Sequence, residues 1–394
     1  MAKKKIKAKK GLRILIIILL IVVLGVFALD FFDISSYFIK GKNEKKQVEV
    51  KVPREYEASL FMVGDALIHS CVYNDARTGD GGYDFKPQIE LIKEISSKYD
   101  LAYYNQETIL GGTELGLSNY PMFNSPQQVG DAFLDAGFNL VSLATNHTMD
   151  KGERGVTNSV NYWNSHKNQA VTSGQWLSFE EREKSISSIY EINGIKYAFI
   201  SYTTWTNGLE TPYGKEYLNN VYSDEKAAAD IAKVRDKADI IIVAMHWGTE
   251  YYLGVDYSQA HIAQFLSEQG VQLIIGAHPH VVEPVEYINN GKTFVIYSLG
   301  NIISDQEGNE RLTGLMMSVK IKKKVDVDGT TTVTVEEPKA ELSYTKSNYC
   351  KNFKVYPYSK LNTGILSNYQ YLQGKYQGVV SSRYPDLKWG LTGE

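Results

Sequence analysis

Residues Asp224–Trp247 read DEKAAADIAKVRDKADIIIVAMHW. The first part, Asp224–Lys237, is Ala-rich and opens on acids, which suits the positive end of a helix dipole. The second, Asp239–Trp247, is an unbroken apolar run that stops at His246. Such a run predicts a strand buried on both faces, with its last residue at the surface. A helix feeding a fully buried strand is the unit of an α/β sheet.

The same pattern extends in both directions. Downstream, Ser258–Gly270 reads as a helix closed by glycine, followed by VQLIIGAHPH (Val271–His280) and TFVIYSLGN (Thr293–Asn301). Upstream stand SLFMVGD (Ser59–Asp65), DLAYYNQE (Asp100–Glu107) and FNLVSLATNH (Phe138–His147). Helical patterns lie between them at Lys86–Lys98 and Pro126–Gly137, the latter ending in a glycine C-cap. Six apolar runs thus end in Asp, Asn, Glu or His, and α/β sheets bind ligands at their C-terminal strand ends. Gly314–Val335 alternates apolar and polar residues around Asp328-Gly329, which predicts a β-hairpin. Tyr344–Glu394 has little periodicity.

The N-terminus is of another kind. Lys3, Lys4, Lys5, Lys7, Lys9, Lys10 and Arg13 precede the charge-free stretch Ile14–Leu29, with Asp30 and Asp33 after it. About 20 apolar residues span a bilayer, and basic residues stay on the cytoplasmic side. The pattern predicts one transmembrane anchor over 12–32 with the rest of the chain extracytoplasmic. A cleaved signal peptide is the alternative, but bulky residues follow where small ones would mark a cleavage site. The expected organisation is a basic cytoplasmic tail (1–11), the anchor, a Lys/Glu-rich stalk (33–57), a domain over 58–345 and a C-terminal extension (346–394). The net charge of −3 and the lack of a basic stripe argue against nucleic acid. The two cysteines, Cys71 and Cys350, read as structural bystanders. An extracytoplasmic location permits a disulfide between them.

Chemistry concentrates at the strand ends. Glu107 can bridge two metals through its two oxygens, with Asn105 on the same side of its strand. Asn146 offers a neutral carbonyl ligand. His147 is a candidate general acid with Asp150 to orient it. Two imidazoles around a stiff proline, His278 and His280, can address two metals in one site, and Gly276 suggests a tight turn before them. Asp65, His69, His246 and Asn301 are weaker alone. A lone histidine at a strand end is more often structural than ligating. Four of the seven histidines at such ends is a different matter.

In order and spacing, Gly64-Asp65, Asn105-Gln106-Glu107, Asn146-His147 with Asp150 and Gly152, His246-Trp247-Gly248 with Glu250, Gly276-Ala277-His278-Pro279-His280 and Ser298-Leu299-Gly300-Asn301 resemble the CapA-type capsule-synthesis family, associated with poly-γ-glutamate. The resemblance covers about Ser59 to Ile303. Thr145 and Gln106 depart from the usual Asn and Leu and remove no ligand. That family is in turn similar to calcineurin-like metallophosphoesterases. The resemblance therefore implies a four-layer αββα sandwich and a pair of divalent metal ions, with Mn, Zn, Fe and Mg all admissible. Carried over by position, Asp65 and His280 would hold the first metal, Glu107 would bridge, and Asn146, His246 and His278 would hold the second. His147 would protonate the leaving oxygen. Leu67 stands where the phosphoesterases carry a histidine ligand, so His69 or water would have to complete the first metal. Asn105 and Asn301 are further candidates. The expected function is synthesis or export of an anionic capsule polymer, with a phosphoester or the polymer itself as substrate and membrane-bound synthase subunits as partners. The competing expectation is a non-catalytic, metal-dependent accessory that binds polymer or docks to the synthase.

Overall fold

The computed structural model describes residues 10–11, 13–24 and 52–391. Residues 10–11 and 13–24 are helical. No helix among the described residues is long and apolar enough to cross a membrane. The remainder of the expected anchor, 25–32, lies outside the described residues, as do 33–51 of the expected stalk. The rest of the chain, from Pro53 on, forms a separate compact unit.

That unit opens with strand β1 (Arg54–Ala66), which begins inside the predicted stalk because Arg54 already pairs with a later strand at Val325. There follow α1 (Ser70–Asp75), α2 (Lys86–Ser96), β2 (Leu101–Asn105), α3 (Gln128–Asp135), β3 (Leu140–Ser142), α4 (Gly152–Ser165) and β4 (Val171–Ser173). Next come α5 (Phe179–Ile186), β5 (Tyr190–Ile192), β6 (Ile195–Thr203), α6 (Asp224–Ala232), β7 (Ile240–His246), α7 (Tyr257–Glu268) and β8 (Leu273–Ala277). The chain closes through β9 (Val285–Ile288), β10 (Thr293–Ile296), β11 (Asn301–Ile303), α8 (Asn309–Leu312), β12 (Thr313–Val325), β13 (Thr331–Lys346), β14 (Lys354–Pro357), α9 (Tyr369–Val380) and β15 (Lys388–Trp389).

The strands form two mixed sheets. One runs β14-β13-β12-β1-β2-β3-β4, with β11 on β1 and β15 on β13; the other runs β5-β6-β7-β8-β10-β9. Alternation along β1 shows the layering. Leu60 and Met62 join Phe199, Ile242 and Ile275 between the sheets, whereas Phe61 and Val63 face Ile89, Ile92 and Phe133 of α2 and α3. In the second sheet, Ile241, Val243 and Ile274 turn outward onto Ile231 of α6 and Ile262 and Leu266 of α7. Each sheet is covered on both faces, giving four layers in the order helix, sheet, sheet, helix. This is why the central strands read as continuous apolar runs.

Two glycines sit where backbones nearly touch. A Cβ on Gly64 would lie 1.7 Å from the Gly300 oxygen, and one on Gly276 would lie 1.8 Å from the Tyr297 oxygen. Gly276 therefore serves close approach inside β8 rather than the tight turn expected of it. The cysteines are not bystanders: Cys71 and Cys350 form a disulfide joining α1 to the loop before β14. Asp75 reinforces the junction by accepting the amides of Asn352 and Phe353. The aperiodic C-terminal stretch is ordered by these contacts and by the pairing of β14 and β15 with β13.

Candidate metal centre

The C-terminal ends of strands from both sheets meet at one place. From the first sheet come Asp65 on β1, Asn105 on β2 with Glu107 just beyond, and Asn146 and His147 after β3. From the second come His246 on β7 and His278 and His280 after β8. All eight are buried. Pairing of Asp65 with both Asn105 and Asn301 draws β2 and β11 to the same edge. His278 and His280 hold φ of 99° and 58° on either side of Pro279. Left-handed backbone at non-glycine residues costs about 1–3 kcal/mol each and concentrates at functional sites.

Two groups of donor atoms result. In the first, His246 Nε2 lies 2.9 Å from Asn146 Oδ1 and 3.2 Å from His278 Nδ1. In the second, His280 Nε2 lies 3.5 Å from Glu107 Oε1, and Asp65 Oδ2 lies 3.6 Å from the other ring nitrogen of His280. Glu107 Oε1 stands between the groups, 3.8 Å from His246 Nε2. Metal–ligand bonds of ~2.0–2.2 Å set donor–donor edges of roughly 3.3–3.6 Å around a tetrahedral ion, close to these separations. One atom each from Glu107, His278 and His280 falls within a mutual 4.8 Å.

Glu107 supplies the test of fit. Both its carboxylate oxygens are buried without a hydrogen-bond partner, as is Asn105 Oδ1. A buried carboxylate with no donor costs several kcal/mol, and native structures pair such groups with protons, cations or metals. Burial pushes the Glu107 carboxyl well above its ordinary range. It pushes His246 well below and His278 down to about 3, leaving both imidazoles neutral, the form that ligates. Burial also acts against charge on His280, but Glu107 and Asp65 outweigh it and raise the group to about 9. Carboxylate, imidazole and amide-oxygen donors gathered at one place suit a divalent cation.

Neighbouring amides fix the rings. Asn301 Nδ2 donates to the Arg311 carbonyl and to Gln306 Oε1, so Asn301 Oδ1 faces His280 Nδ1 at 3.0 Å as an acceptor. Asn301 thereby fixes a proton on Nδ1 and turns Nε2 towards Glu107. Asn105 Nδ2 donates to Asp65 Oδ1 at 2.8 Å and lies 3.2 Å from His246 Nδ1. Asn105 and Asn301 thus each hold an imidazole of the principal candidates, and Asn105 Oδ1 is left without a hydrogen-bond partner.

His147 lies alongside. Its Nδ1 is 2.7 Å from Asp150 Oδ2, which also accepts the Phe123 amide at 2.6 Å. The Phe123 ring meets the imidazole edge-on at 4.7 Å. Asp150 thus holds the Nδ1 proton and leaves Nε2 as the working nitrogen. His69 stands near His280 and His147. Its Nδ1 lies 3.1 Å from the Leu67 carbonyl and 3.2 Å from the Asp305 amide, so backbone engages it. Sequence reasoning missed Asn207, whose Oδ1 accepts from Asn146 Nδ2 at 3.2 Å and whose Nδ2 lies 3.5 Å from His147 Nδ1. It also missed Tyr251, Gln306 and Arg311. Tyr251 and Gln306 sit on loops and Arg311 in the one-turn helix α8, where no apolar run flags them; the nearest signal was Glu250 beside the His246 motif.

Comparison with known proteins gives the following. A family model described as "Bacterial capsule synthesis protein PGA_cap" matches residues 59–306. The chain is 30% identical over 196 residues to the PGA biosynthesis protein CapA of Bacillus subtilis, covering 48% of each protein. It is 23% identical over 269 residues to the capsule biosynthesis protein CapA of Bacillus anthracis, covering 65% of this chain and 62% of that one. The match thus spans about half to three-fifths of these relatives. Among solved structures, a phosphatase of Mycoplasma pneumoniae aligns at 16% identity with a TM-score of 0.46, covering 73% of this chain and 94% of that one.

Proposed function

This chain belongs to the PGA_cap family of bacterial capsule synthesis proteins, and on that premise we propose that it acts in the synthesis or export of an anionic capsule polymer, poly-γ-glutamate, through a metal-dependent phosphoesterase-type site. The observation that carries the reading is the partnerless carboxylate of Glu107, buried between two groups of imidazole and amide donors. Asp65, Glu107 and His280 would hold one divalent ion, and Asn146, His246 and His278, with Glu107 shared, a second.

Bound there, a divalent ion supplies a Lewis acid that stabilises charge on a phosphoryl or carboxyl oxygen. The chain's own residues do the rest. Asp150 fixes the His147 tautomer and His147 Nε2 delivers a proton to the leaving oxygen, a role worth about 10²–10⁴-fold in rate. Phe123 walls the imidazole on one face and keeps water from it. The domain works outside the cell, tethered by the N-terminal apolar segment. The Lys-rich start before Ile14–Leu29 supports that orientation, as does the Cys71–Cys350 disulfide, which persists in oxidising compartments.

His147→Ala tests the catalytic reading. The variant should retain metal and fold, lose phosphoester hydrolysis by about 10²–10⁴-fold, and fail to support polymer production in cells. Full metal content together with full polymer yield would refute hydrolysis and favour the metal-dependent accessory. Location is tested by adding protease to intact protoplasts, which should digest the domain. A C-terminal tag cut only after lysis would reverse the orientation.

A further inference from the structure

Arg311 is an unusual cation. Its side chain is 32% exposed, and among the described residues its ion-pair partner is Glu310 at 3.8 Å. Its Nε is buried without an acceptor. The guanidinium lies 4.7 Å from the centre of the Tyr251 ring, and that ring lies 6.0 Å from the ring of His280. Stacking on an aromatic face holds the fork in one plane and leaves its edge donors for a ligand.

The placement is built. Asn301 links His280 to the Arg311 carbonyl and to Gln306 Oε1. Gln306 Nε2 in turn donates to the Tyr251 hydroxyl at 3.3 Å. Tyr251 adopts φ of 66°, and its amide donates to the Pro279 carbonyl at 2.8 Å. A tyrosine held in left-handed backbone is strained, and strain of this kind survives where surroundings over-determine it. A closed loop of contacts thus fixes Arg311 beside the metal centre. Glu250, exposed on the same turn, is the opposing charge and interacts with the Tyr251 hydroxyl.

We propose that Arg311, seated on Tyr251, is a carboxylate subsite flanking the candidate metal centre, taking one side-group carboxylate of an extended polyanion while the next repeat lies at the centre. A guanidinium matches a carboxylate bidentately, which sets register along a chain bearing one carboxylate per repeat. The subsite rests on the polymer reading above.

The test is binding of a γ-linked glutamate decamer to the full, metal-loaded chain, with the same decamer carrying α-carboxamides as the neutral probe. Metal content is measured in every sample. Wild type should prefer the anionic decamer, and Arg311→Gln should weaken that binding about 10–100-fold at unchanged metal content. Arg311→Lys should fall between, since it keeps the charge and loses the fork. If Arg311→Gln sheds metal, Arg311→Lys decides, and wild-type affinity in it overturns the subsite. Equal affinity of Arg311→Gln and wild type, or of the two decamers, overturns the proposal while leaving polymer handling intact. No binding of either decamer by wild type overturns both.

Discussion

Glu283 offers a stability experiment independent of the metal centre. Its side chain is buried, Oε2 accepts from Gln259 Nε2 at 2.7 Å, and Oε1 has no partner. Gln259 is itself fixed, because it also closes the capping box of α7 with Asp256. Burial pushes the Glu283 carboxyl from 4.5 up to about 9. The folded state therefore holds a proton that the unfolded state releases between those values. For an acid raised in this way, the stabilisation is complete below pH 4.5 and is lost as pH climbs towards 9. Inside that window the slope is about 1.4 kcal/mol per pH unit, so pH 6 to 8 should cost wild type about 3 kcal/mol through this group. Glu283→Gln keeps the shape and an oxygen for Gln259 but cannot titrate. Urea unfolding of the full chain, wild type and variant at both pH values, isolates the term, since every other titrating group is common to the pair. The variant should gain about 3 kcal/mol on wild type between pH 6 and 8. A wild-type-to-variant difference constant to within about 0.5 kcal/mol would refute a neutral buried Glu283.

Three further outcomes are expected. Gly276→Ala should destabilise the domain by more than about 3 kcal/mol or prevent folding, read as a lower urea midpoint, because its methyl would overlap the Tyr297 oxygen. Cys71→Ser should remove a cross-link spanning 279 residues and cost about 3–5 kcal/mol; equal midpoints for the variant and the oxidised wild type would contradict the pairing. Glu107→Gln should lower bound metal in elemental analysis of the purified chain while the far-UV spectrum stays unchanged, and full metal retention would remove Glu107 from the ligand set.

The strands that carry the candidate centre were legible because each is buried on both faces and ends on a polar residue. Periodicity and chemistry coincide there, and the expected Asp65, Glu107, Asn146, His246, His278 and His280 come together. Strand β6 was silent because Lys196 and Ser201 interrupt its apolar run and it ends at Thr203, which draws no chemical attention. Short β3, β4 and β11 hold only three residues each and are strands by virtue of their neighbours. The arrangement around Arg311 needed the structure, since Tyr251, Asn301 and Arg311 come from a loop, a strand and a one-turn helix that only tertiary contacts join. The Cys71–Cys350 pairing was equally hidden, because two cysteines 279 positions apart carry no spacing signal.

The donors of the candidate centre are divided along the chain. Asp65, Glu107 and Asn146 precede the first residue of the second sheet, while His246, His278 and His280 follow most of that sheet. Neither half alone encloses an ion. A polypeptide emerging from its N-terminus must therefore present residue 280 and dock the two sheets before it can select a cation. With imidazole, amide and carboxylate donors that accept several divalent metals, relative abundance at that moment outweighs intrinsic preference. If the centre takes an ion, which one it takes would then depend on the compartment where docking finishes, and moving the site of folding would change the metal without changing a ligand.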